Sequence, residues 1–386
     1  MRRIFFYGII LSVGFLLSST ASMAAEEIRI GYIISLTGPA AYDGKILVSG
    51  ATVAVNQINA AGGIFGRPLK LLAEDQKGVP AEGVNTAVKL TDRDKVHVLI
   101  QQGNSSICLA IGEYVRKMEN PVPLLTGLCT APKLTRVGNA WFFRSCQNSL
   151  MEGPSFVKHW VQNLKVKKVS FLAANDDWGR ATVETYSEEL KKMGGEVVSV
   201  DYFRSGDFDF SPYLTKIKAK KPEALDIIAR AEVGARISLQ FVELGMDKLM
   251  IQLGSDGQVS DDFIKLGGKA VEGLWVMSRY EPTLPGPRNE QFIKQYLPLM
   301  SQQPDQKSQA GYDDVYIVAE AMKRAGSTAP DKIQEALKKT DYQGLASRIL
   351  FDKNHQAHPD LLISQIRDGK RQVVTRVSTQ DVDFER

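Results

Sequence analysis

The chain has 386 residues, of which 44% are hydrophobic and 24% are charged, and its formal net charge is +4. This is the composition of an ordinary soluble protein, and so small a charge gives no indication of nucleic-acid or membrane binding. At about 100–200 residues per domain, two domains are expected, each large enough to bury its own core.

The chain begins with a segment typical of a secretory signal peptide. Arg2 and Arg3 make the start positive, residues 4–17 are almost wholly apolar, and residues 18–25 are small and polar. The apolar run is shorter than the ~20 residues that span a bilayer, which disfavours a membrane anchor. We expect export, with cleavage near residues 24–25. No lipid anchor is expected, because no cysteine lies near the cleavage site.

From residue 28 onward, short apolar segments alternate with helical patterns. The apolar segments predict strands at Ile28–Ser35, Leu69–Glu74, Val96–Gln101, Val122–Thr126, Trp141–Arg144, Lys168–Ala173, Val197–Phe203, Ala224–Ile228, Leu249–Leu253 and Leu274–Ser278. The helical patterns predict one helix that ends at Gly62–Gly63 and others at Ala81–Thr91, Ile107–Lys117, Glu152–Asn163, Ala181–Lys192, Phe210–Lys220, Val233–Leu244, Asn289–Leu299 and Ser308–Ala325. Such alternation is typical of doubly wound α/β sheets.

The number of predicted strands favours two sheets over one, since ten strands are many for a single open sheet. We place the division near Ser145 and a return of the chain near Arg279. The proline-rich segment Glu281–Arg288 is a predicted loop or crossover, and the chain after it is predicted to be mostly helical.

Signatures of catalysis are scarce. The chain has no G-x-S-x-G elbow, no dinucleotide-binding or phosphate-binding glycine motif, and only 4 histidines. His355 and His358 lie in a polar segment without a companion pair at zinc spacing, so a solvated loop is the favoured interpretation. Asp176 and Asp177 could be paired catalytic carboxylates, but a helix N-cap is favoured. We therefore expect no enzymatic activity, no cofactor and no metal.

Polar and aromatic side chains follow five of the predicted strands. In open α/β sheets, ligands bind beyond the carboxyl ends of the strands. Ser105, Ser106 and Thr130 offer hydroxyls beside backbone amides, an arrangement that suits a carboxylate. Helix capping is an equally good interpretation of the two serines. The sequence predicts a cleft for a small amphipathic carboxylate.

Three further residues at these strand ends complete the predicted cleft. Tyr42 and Trp178 offer flat apolar walls, and Asp256 offers a counter-charge to an ammonium group. Taken singly, Trp178 could instead pack at a helix start and Asp256 could cap a helix.

The 3 cysteines cannot all pair within one chain. In an oxidising compartment, one disulfide and one buried thiol are expected. Cys129 and Cys146 follow successive apolar runs, so their strand ends could be close, and we predict that this pair forms the disulfide.

Several motifs together resemble one protein family. These are Leu36-Thr-Gly-Pro39, Asn59-Ala-Ala-Gly-Gly-Ile64, Thr130-Ala-Pro132, Asp177-Trp-Gly179, Gly206-Asp-Phe-Asp-Phe210 and Gly311-Tyr-Asp313. The chain resembles the type I periplasmic solute-binding proteins of ABC importers, with the branched-chain amino acid (Leu/Ile/Val) binding branch most similar. The resemblance implies two Rossmann-like lobes joined by three crossovers, with ligand in the interlobe cleft and hinge closure around it.

The resemblance also assigns roles to residues. It implies that Ser105 and Thr130 hold the ligand's carboxylate, with Cys129 nearby, and that Asp256 holds the α-ammonium. It implies that Trp178 closes over the ligand. Tyr42, or its neighbour Asp43, is expected near the mouth of the cleft.

One departure from the family pattern concerns the ligand's identity. Where the family often has an aromatic residue, this chain has Arg230-Ala231-Glu232. Arg230 could bind a second carboxylate or face solvent, and Glu232 could strengthen ammonium binding.

The resemblance implies an N-terminal lobe of residues 26–144 and 279–346 and a C-terminal lobe of residues 145–278 and 347–386. The expected function is that of the periplasmic binding component of an ABC importer, working as a monomer with an inner-membrane permease and without nucleic acid. The expected solute is a branched-chain or related amino acid. Alternatives are a binder of aromatic acids, amides or short dicarboxylates, or a ligand sensor for a membrane receptor. An exported hydrolase is disfavoured by the missing nucleophile and metal constellations.

Overall fold

The computed structural model describes residues 26–380, so the predicted signal peptide, residues 1–25, lies outside the described residues. The strands are β1 Ile28–Ile34, β2 Leu69–Asp75, β3 Val98–Gln101, β4 Leu124–Thr126, β5 Phe142–Arg144, β6 Lys168–Ala174, β7 Glu196–Phe203, β8 Ala224–Ile228, β9 Ile251–Gly254, β10 Trp275–Ser278, β11 Asp341–Gln343, β12 Arg348–Leu350, β13 Leu361–Arg367 and β14 Lys370–Val377. The helices are α1 Ala41–Ala60, α2 Pro80–Val88, α3 Ser105–Lys117, α4 Lys133–Arg136, α5 Ser149–Gln162, α6 Asp177–Lys192, α7 Ser211–Ala219, α8 Ala231–Glu243, α9 Asp261–Gly267, α10 Pro287–Met300, α11 Gln306–Ala325 and α12 Pro330–Leu337.

The strands form two main sheets. The first is wholly parallel, in the order β2-β1-β3-β4-β5, and begins with Ile28 beside Leu69. The second has the order β14-β13-β10-β9-β8-β6-β7, in which β13 and β14 are antiparallel to their neighbours. The predicted strands are all present, with ends shifted by a few residues at most, because buried parallel strands are apolar on both faces and therefore easy to recognise.

The chain passes between the two sheets three times. It leaves the first sheet after β5 and returns after β10, where α10, α11 and α12 pack on the apolar cluster around β1. It passes back before β13, which joins the second sheet. The prediction of two Rossmann-like lobes is confirmed. None of the helices within residues 26–380 is long and apolar enough to cross a bilayer.

The prediction that the chain is mostly helical after residue 288 is wrong in its last part. β13 and β14 form a hairpin that turns at Asp368 and Gly369, both with positive φ, of 53° and 65°. Asp-Gly is a strong hairpin signal, because both central residues of such a turn adopt left-handed backbone. That dipeptide, between segments rich in Ile and Val, is the signal that could have identified the hairpin.

The predicted disulfide is also wrong. The structure joins Cys108 to Cys129, whose Cα atoms are 6.7 Å apart, and leaves Cys146 buried with a free thiol. Cys108 lies in α3, directly after β3, and Cys129 follows the neighbouring strand β4, so the sheet brings them together. The Cys146 Sγ faces the main-chain oxygen of Cys129, at 3.8 Å, and not its sulfur.

Helices α1 and α11 approach each other closely on the first lobe. A Cβ atom on Gly50 would lie 2.0 Å from the Ser308 carbonyl oxygen, and one on Gly311 would lie 2.2 Å from that of Leu47. Glycine is required at both positions because any side chain would meet backbone. This contact sets the position of the first turn of α11, which faces the space between the lobes.

Candidate functional site

A cavity lies between the two lobes, at the carboxyl ends of the parallel strands. The space open to the centre of a water molecule there is about 70 Å³, several times the ~10–15 Å³ that one water needs. It is lined by Ile34, Ser35, Ala40, Asp43, Gly44, Leu47, Gln102, Gly103, Ser105, Leu128, Trp178, Arg230, Asp256, Gly257, Gln306 and Lys307. Both lobes therefore contribute to a space that suits a small solute.

One end of the cavity is formed by the N-terminus of α3. Its cap is Asn104, whose side-chain oxygen accepts hydrogen bonds from the amides of Ser106 (3.0 Å) and Ile107 (3.3 Å). Ser105 is therefore not the cap, and its amide is one of those that a helix leaves without an intrahelical acceptor. The positive end of the helix dipole and this amide favour an anion.

Thr130 lies beside this helix end. The Ser105 hydroxyl accepts a hydrogen bond from the Ala131 amide at 3.3 Å, so residues 130 and 131 pass next to Ser105. Within residues 26–380, the buried hydroxyl of Thr130 has no hydrogen-bond partner. A buried polar group without a partner is costly, so this hydroxyl is suited to a ligand oxygen.

Asp256 forms another wall of the cavity. It follows β9, and the turn that it begins is capped by Ser255, so Asp256 is not a cap. Gln306 Nε2 donates to its main-chain oxygen at 2.7 Å. Among the described residues 26–380, its carboxylate forms no ion pair within 4.0 Å. A buried carboxylate in this situation calls for a cation.

Burial shifts the pKa of the Asp256 carboxyl group. Burial raises the pKa of Asp256 to about 6, although Arg279, Lys307 and Arg230 act in the opposite direction. Glu152, which accepts hydrogen bonds from Gln147 (2.9 Å) and Tyr186 (3.3 Å), lies in the same lobe. Its pKa is raised by burial and by the charge of Asp256.

Trp178 closes one side of the cavity. It is the second residue of α6, which is capped by Asp176 through the Gly179 amide at 2.9 Å. The Arg230 guanidinium lies 5.4 Å from the Trp178 ring centre and 3.3 Å from the Asp176 carboxylate. A Cβ on Gly257 would come within 2.9 Å of the indole. The ring thus lies close to both Gly257 and Arg230.

An ion pair that the sequence did not indicate lines the cavity as well. Lys307 Nζ donates to Asp43 Oδ1 at 2.7 Å, and only 7% of the lysine side chain is exposed. Lys307 and Gln306 open α11, which was predicted to begin at Ser308. The capping box of Asp305 and Ser308 is the sequence signal for the earlier start.

The lobes touch each other around the cavity. The Asp177 amide donates to the Ser106 hydroxyl at 3.4 Å, and Arg230 Nη2 donates to the Gly103 carbonyl oxygen at 3.5 Å. The Gln306 bond to Asp256 makes a third link. Since these bonds join residues of opposite lobes, they would break on opening.

The structure separates the sequence-predicted site residues into two groups. Those that line the cavity are Asp43, Ser105, Trp178, Arg230 and Asp256. Those that do not are Tyr42, Ser106, Cys129, Thr130 and Glu232.

Three residues of the second group have other contacts. The partly exposed Tyr42 donates to Gln302 Oε1 at 2.8 Å. Glu232 pairs with Arg236 at 3.5 Å on the outer face of α8. The sulfur of Cys129 is in the disulfide.

Comparison with known proteins gives one consistent result. The family model described as periplasmic binding protein matches residues 27–371. The Leu/Ile/Val-binding protein homolog 3 of Brucella melitensis is 28% identical over 308 residues, which are 80% of this chain and 82% of that protein.

Two solved structures share the fold closely. A leucine-binding protein from Thermotoga maritima superposes with a TM-score of 0.84 and 27% identity, covering 92% of this chain and 100% of the other. The branched-chain amino acid transporter substrate-binding protein of Streptococcus pneumoniae, solved with isoleucine, superposes with a TM-score of 0.83 and 25% identity, covering 92% and 99%. This chain belongs to the periplasmic binding protein family, among the type I solute-binding proteins of ABC importers.

Proposed function

We propose that this protein captures a zwitterionic amino acid, branched-chain or related, in the periplasm and delivers it to an ABC permease in the inner membrane. The observation that carries the proposal is the buried Asp256 carboxylate, which lines the cavity without an ion-pair partner among residues 26–380. The N-terminus of α3, with Ser105, lines the same cavity. An ammonium and a carboxylate on one small molecule satisfy both groups.

The proposed mechanism involves binding and no catalytic step. The ligand's carboxylate is held by the Ser105 amide and hydroxyl, and its ammonium by Asp256. Leu47, Leu128 and Trp178 supply apolar walls. A ligand that contacts both lobes favours the closed arrangement, because it binds that arrangement more tightly than the open one. The permease then reopens the lobes and receives the solute. In this proposal the protein acts as a monomer, after removal of its signal peptide.

The relatives support an amino acid as the solute. The Brucella protein is named for leucine, isoleucine and valine, and the Streptococcus protein was solved with isoleucine. Arg230 in the cavity wall is the one observation that favours a ligand with a second carboxylate. The pairing of Arg230 with Asp176 weakens that alternative, since the guanidinium already has an anionic partner.

A ligand screen tests the proposal. We expect L-leucine, L-isoleucine, L-valine or L-threonine to raise the melting temperature of the mature protein, because a ligand at about 100 times its Kd stabilises the folded state by about 2.7 kcal/mol. Aromatic acids, amides and short dicarboxylates are the comparison set, and calorimetry confirms each hit. Stabilisation by members of the comparison set alone would refute the amino-acid proposal.

Binding is expected to weaken as the pH falls through about 6, the pKa to which burial raises Asp256. The ionised carboxylate is the form that pairs with an ammonium, so protonation removes the partner. At pH 5 about one tenth of the groups are ionised, and Kd should be about tenfold higher than at pH 8. Calorimetry at both pH values measures this, and binding near pH 6 should release about half a proton per ligand. A Kd that is the same at pH 5 and 8 would exclude this role for Asp256.

A further inference from the structure

The Asp43–Lys307 pair gives the cavity a polar end whose position is set by the fold. Asp43 is in the first turn of α1 and Lys307 is the second residue of α11. The glycine contacts between these helices hold their backbones together, and a Cβ on Gly44 would lie 1.9 Å from the Ser35 carbonyl oxygen at the end of β1. The pair is therefore anchored to the first lobe and does not depend on exposed, mobile side chains.

The Asp43–Lys307 pair can form more hydrogen bonds than the one that joins its two members. An ammonium group carries three N–H donors. Among the described residues 26–380, the Lys307 Nζ has one hydrogen-bond acceptor, Asp43 Oδ1 at 2.7 Å. The lysine side chain is only 7% exposed, so its contact with bulk water is small. The second carboxylate oxygen of Asp43 is a further acceptor at the same place. A buried donor that lacks an acceptor costs free energy, so this end of the cavity suits a ligand atom that can bond to it.

The charges around Lys307 favour an uncharged group. Burial lowers the pKa of its ammonium, but Asp43, Asp305 and Asp262 more than reverse this and raise the pKa overall. Three carboxylates thus already act on one ammonium. A ligand carboxylate would meet their repulsion, whereas a hydroxyl or an amide can accept from Lys307 and donate to Asp43 without adding charge.

In the function proposed above, two polar groups of the cavity bind the amino acid's α-carboxylate and α-ammonium. Ser105 and the N-terminus of α3 bind the ligand's α-carboxylate, and Asp256 binds its α-ammonium. The apolar surfaces of Leu47 and Leu128 and the Asp43–Lys307 pair line the same cavity and are available to the side chain. Three other polar lining residues, Gln102, Arg230 and Gln306, already bond to groups of the protein. We propose that this pair determines specificity, selecting amino acids whose short side chain ends in a hydroxyl or an amide. The inference rests on the proposed function, since it assigns the side-chain end of that site.

Isosteric ligand pairs test the inference directly. Threonine and valine differ by a hydroxyl in place of a methyl, and asparagine and leucine by an amide in place of a branched alkyl end. Calorimetry on the mature protein should show the polar member of at least one pair binding at least about tenfold more tightly, because a site built for a hydrogen bond rejects the analogue that lacks it. If valine and leucine bind as well as or better than their polar partners, the inference is wrong and amino-acid binding stands. If none of the four binds but isoleucine does, the inference is wrong and amino-acid binding stands. If none of these amino acids binds, the proposed function fails, and the inference with it.

Variants of Asp43 and Lys307 test whether this pair causes the preference for polar side chains. Lys307→Met should bring the affinity ratio within each isosteric pair to within about twofold. The double variant Asp43→Asn/Lys307→Met removes both charges together, which avoids a buried unpaired carboxylate, and should give the same loss. Lys338→Met is the matched control, because it breaks an exposed pair with Glu335 of the same 2.7 Å length outside the cavity. Unchanged discrimination in both Lys307 variants would overturn the role of the pair.

Discussion

Replacing Asp256 by asparagine is expected to weaken amino-acid binding by about a hundredfold to a thousandfold. Loss of one partner from a buried, hydrogen-bonded charge pair costs about 2–5 kcal/mol, and 1.4 kcal/mol is a factor of ten in Kd. Asp256 has no ion-pair partner within residues 26–380, so the ligand's ammonium would lose its principal counter-charge. Calorimetry with the solute that gives the largest thermal shift measures the change.

The controls separate binding from folding. Asparagine keeps the shape of the side chain, so the thermal unfolding of the ligand-free variant should stay cooperative. Glu232→Gln is the matched control, because it removes an acidic side chain that belongs to the same lobe but lies outside the cavity. It should bind like the wild type. An Asp256→Asn protein with wild-type affinity would eliminate the ammonium role.

Replacing Asp226 by asparagine is expected to remove a large pH dependence of stability. Asp226 lies in β8, is fully buried, and neither of its carboxyl oxygens has a hydrogen-bond partner within residues 26–380. Burial raises its pKa to about 8. The folded protein therefore favours the protonated group, whereas the unfolded chain ionises near pH 4. The contribution of the Asp226 carboxyl to the free energy of unfolding is fully present below about pH 4. It is lost as the pH rises to about 8.

The expected change in the free energy of unfolding follows from the shift in the pKa of Asp226. A pKa that is about four units higher in the folded state corresponds to on the order of 5 kcal/mol at pH 9, at 1.36 kcal/mol per unit. Urea unfolding at pH 5, 7 and 9 measures it as the growing difference between Asp226→Asn and wild type. Asp247→Asn, at an exposed position of the same lobe, is the control. Parallel pH profiles for Asp226→Asn and wild type would contradict the prediction.

Much of the fold could be predicted because its signals are local. Buried parallel strands are continuous apolar runs, and capping residues such as Asp176 precede their helices. The long helix α1 ends where the two consecutive glycines Gly62 and Gly63 follow, both with positive φ. These features depend on neighbours within about one helical turn, so one sequence is enough to find them.

The site could be predicted only in part, because only some of its residues have a local sequence signal. Ser105, Trp178 and Asp256 each stand two to four residues after the end of a strand, and the rule that ligands bind at carboxyl ends finds them. Lys307 follows no strand, and its partner Asp43 is 264 residues away in the chain. Nothing near either residue in the sequence indicates the other, and only the packing of α1 against α11 brings them together.

The sequence by itself determined the alternation of strands and helices, their division between two sheets and the strand ends at which the cavity lies, because apolar periodicity and capping act over short stretches of chain. The tertiary structure decided which distant side chains meet. Strand order placed Cys108 beside Cys129 and left Cys146 unpaired. Backbone contact at Gly50 and Gly311 brought Lys307 to Asp43. Burial raised the pKa of Asp256. Each of these depends on distances between atoms that are far apart in the chain.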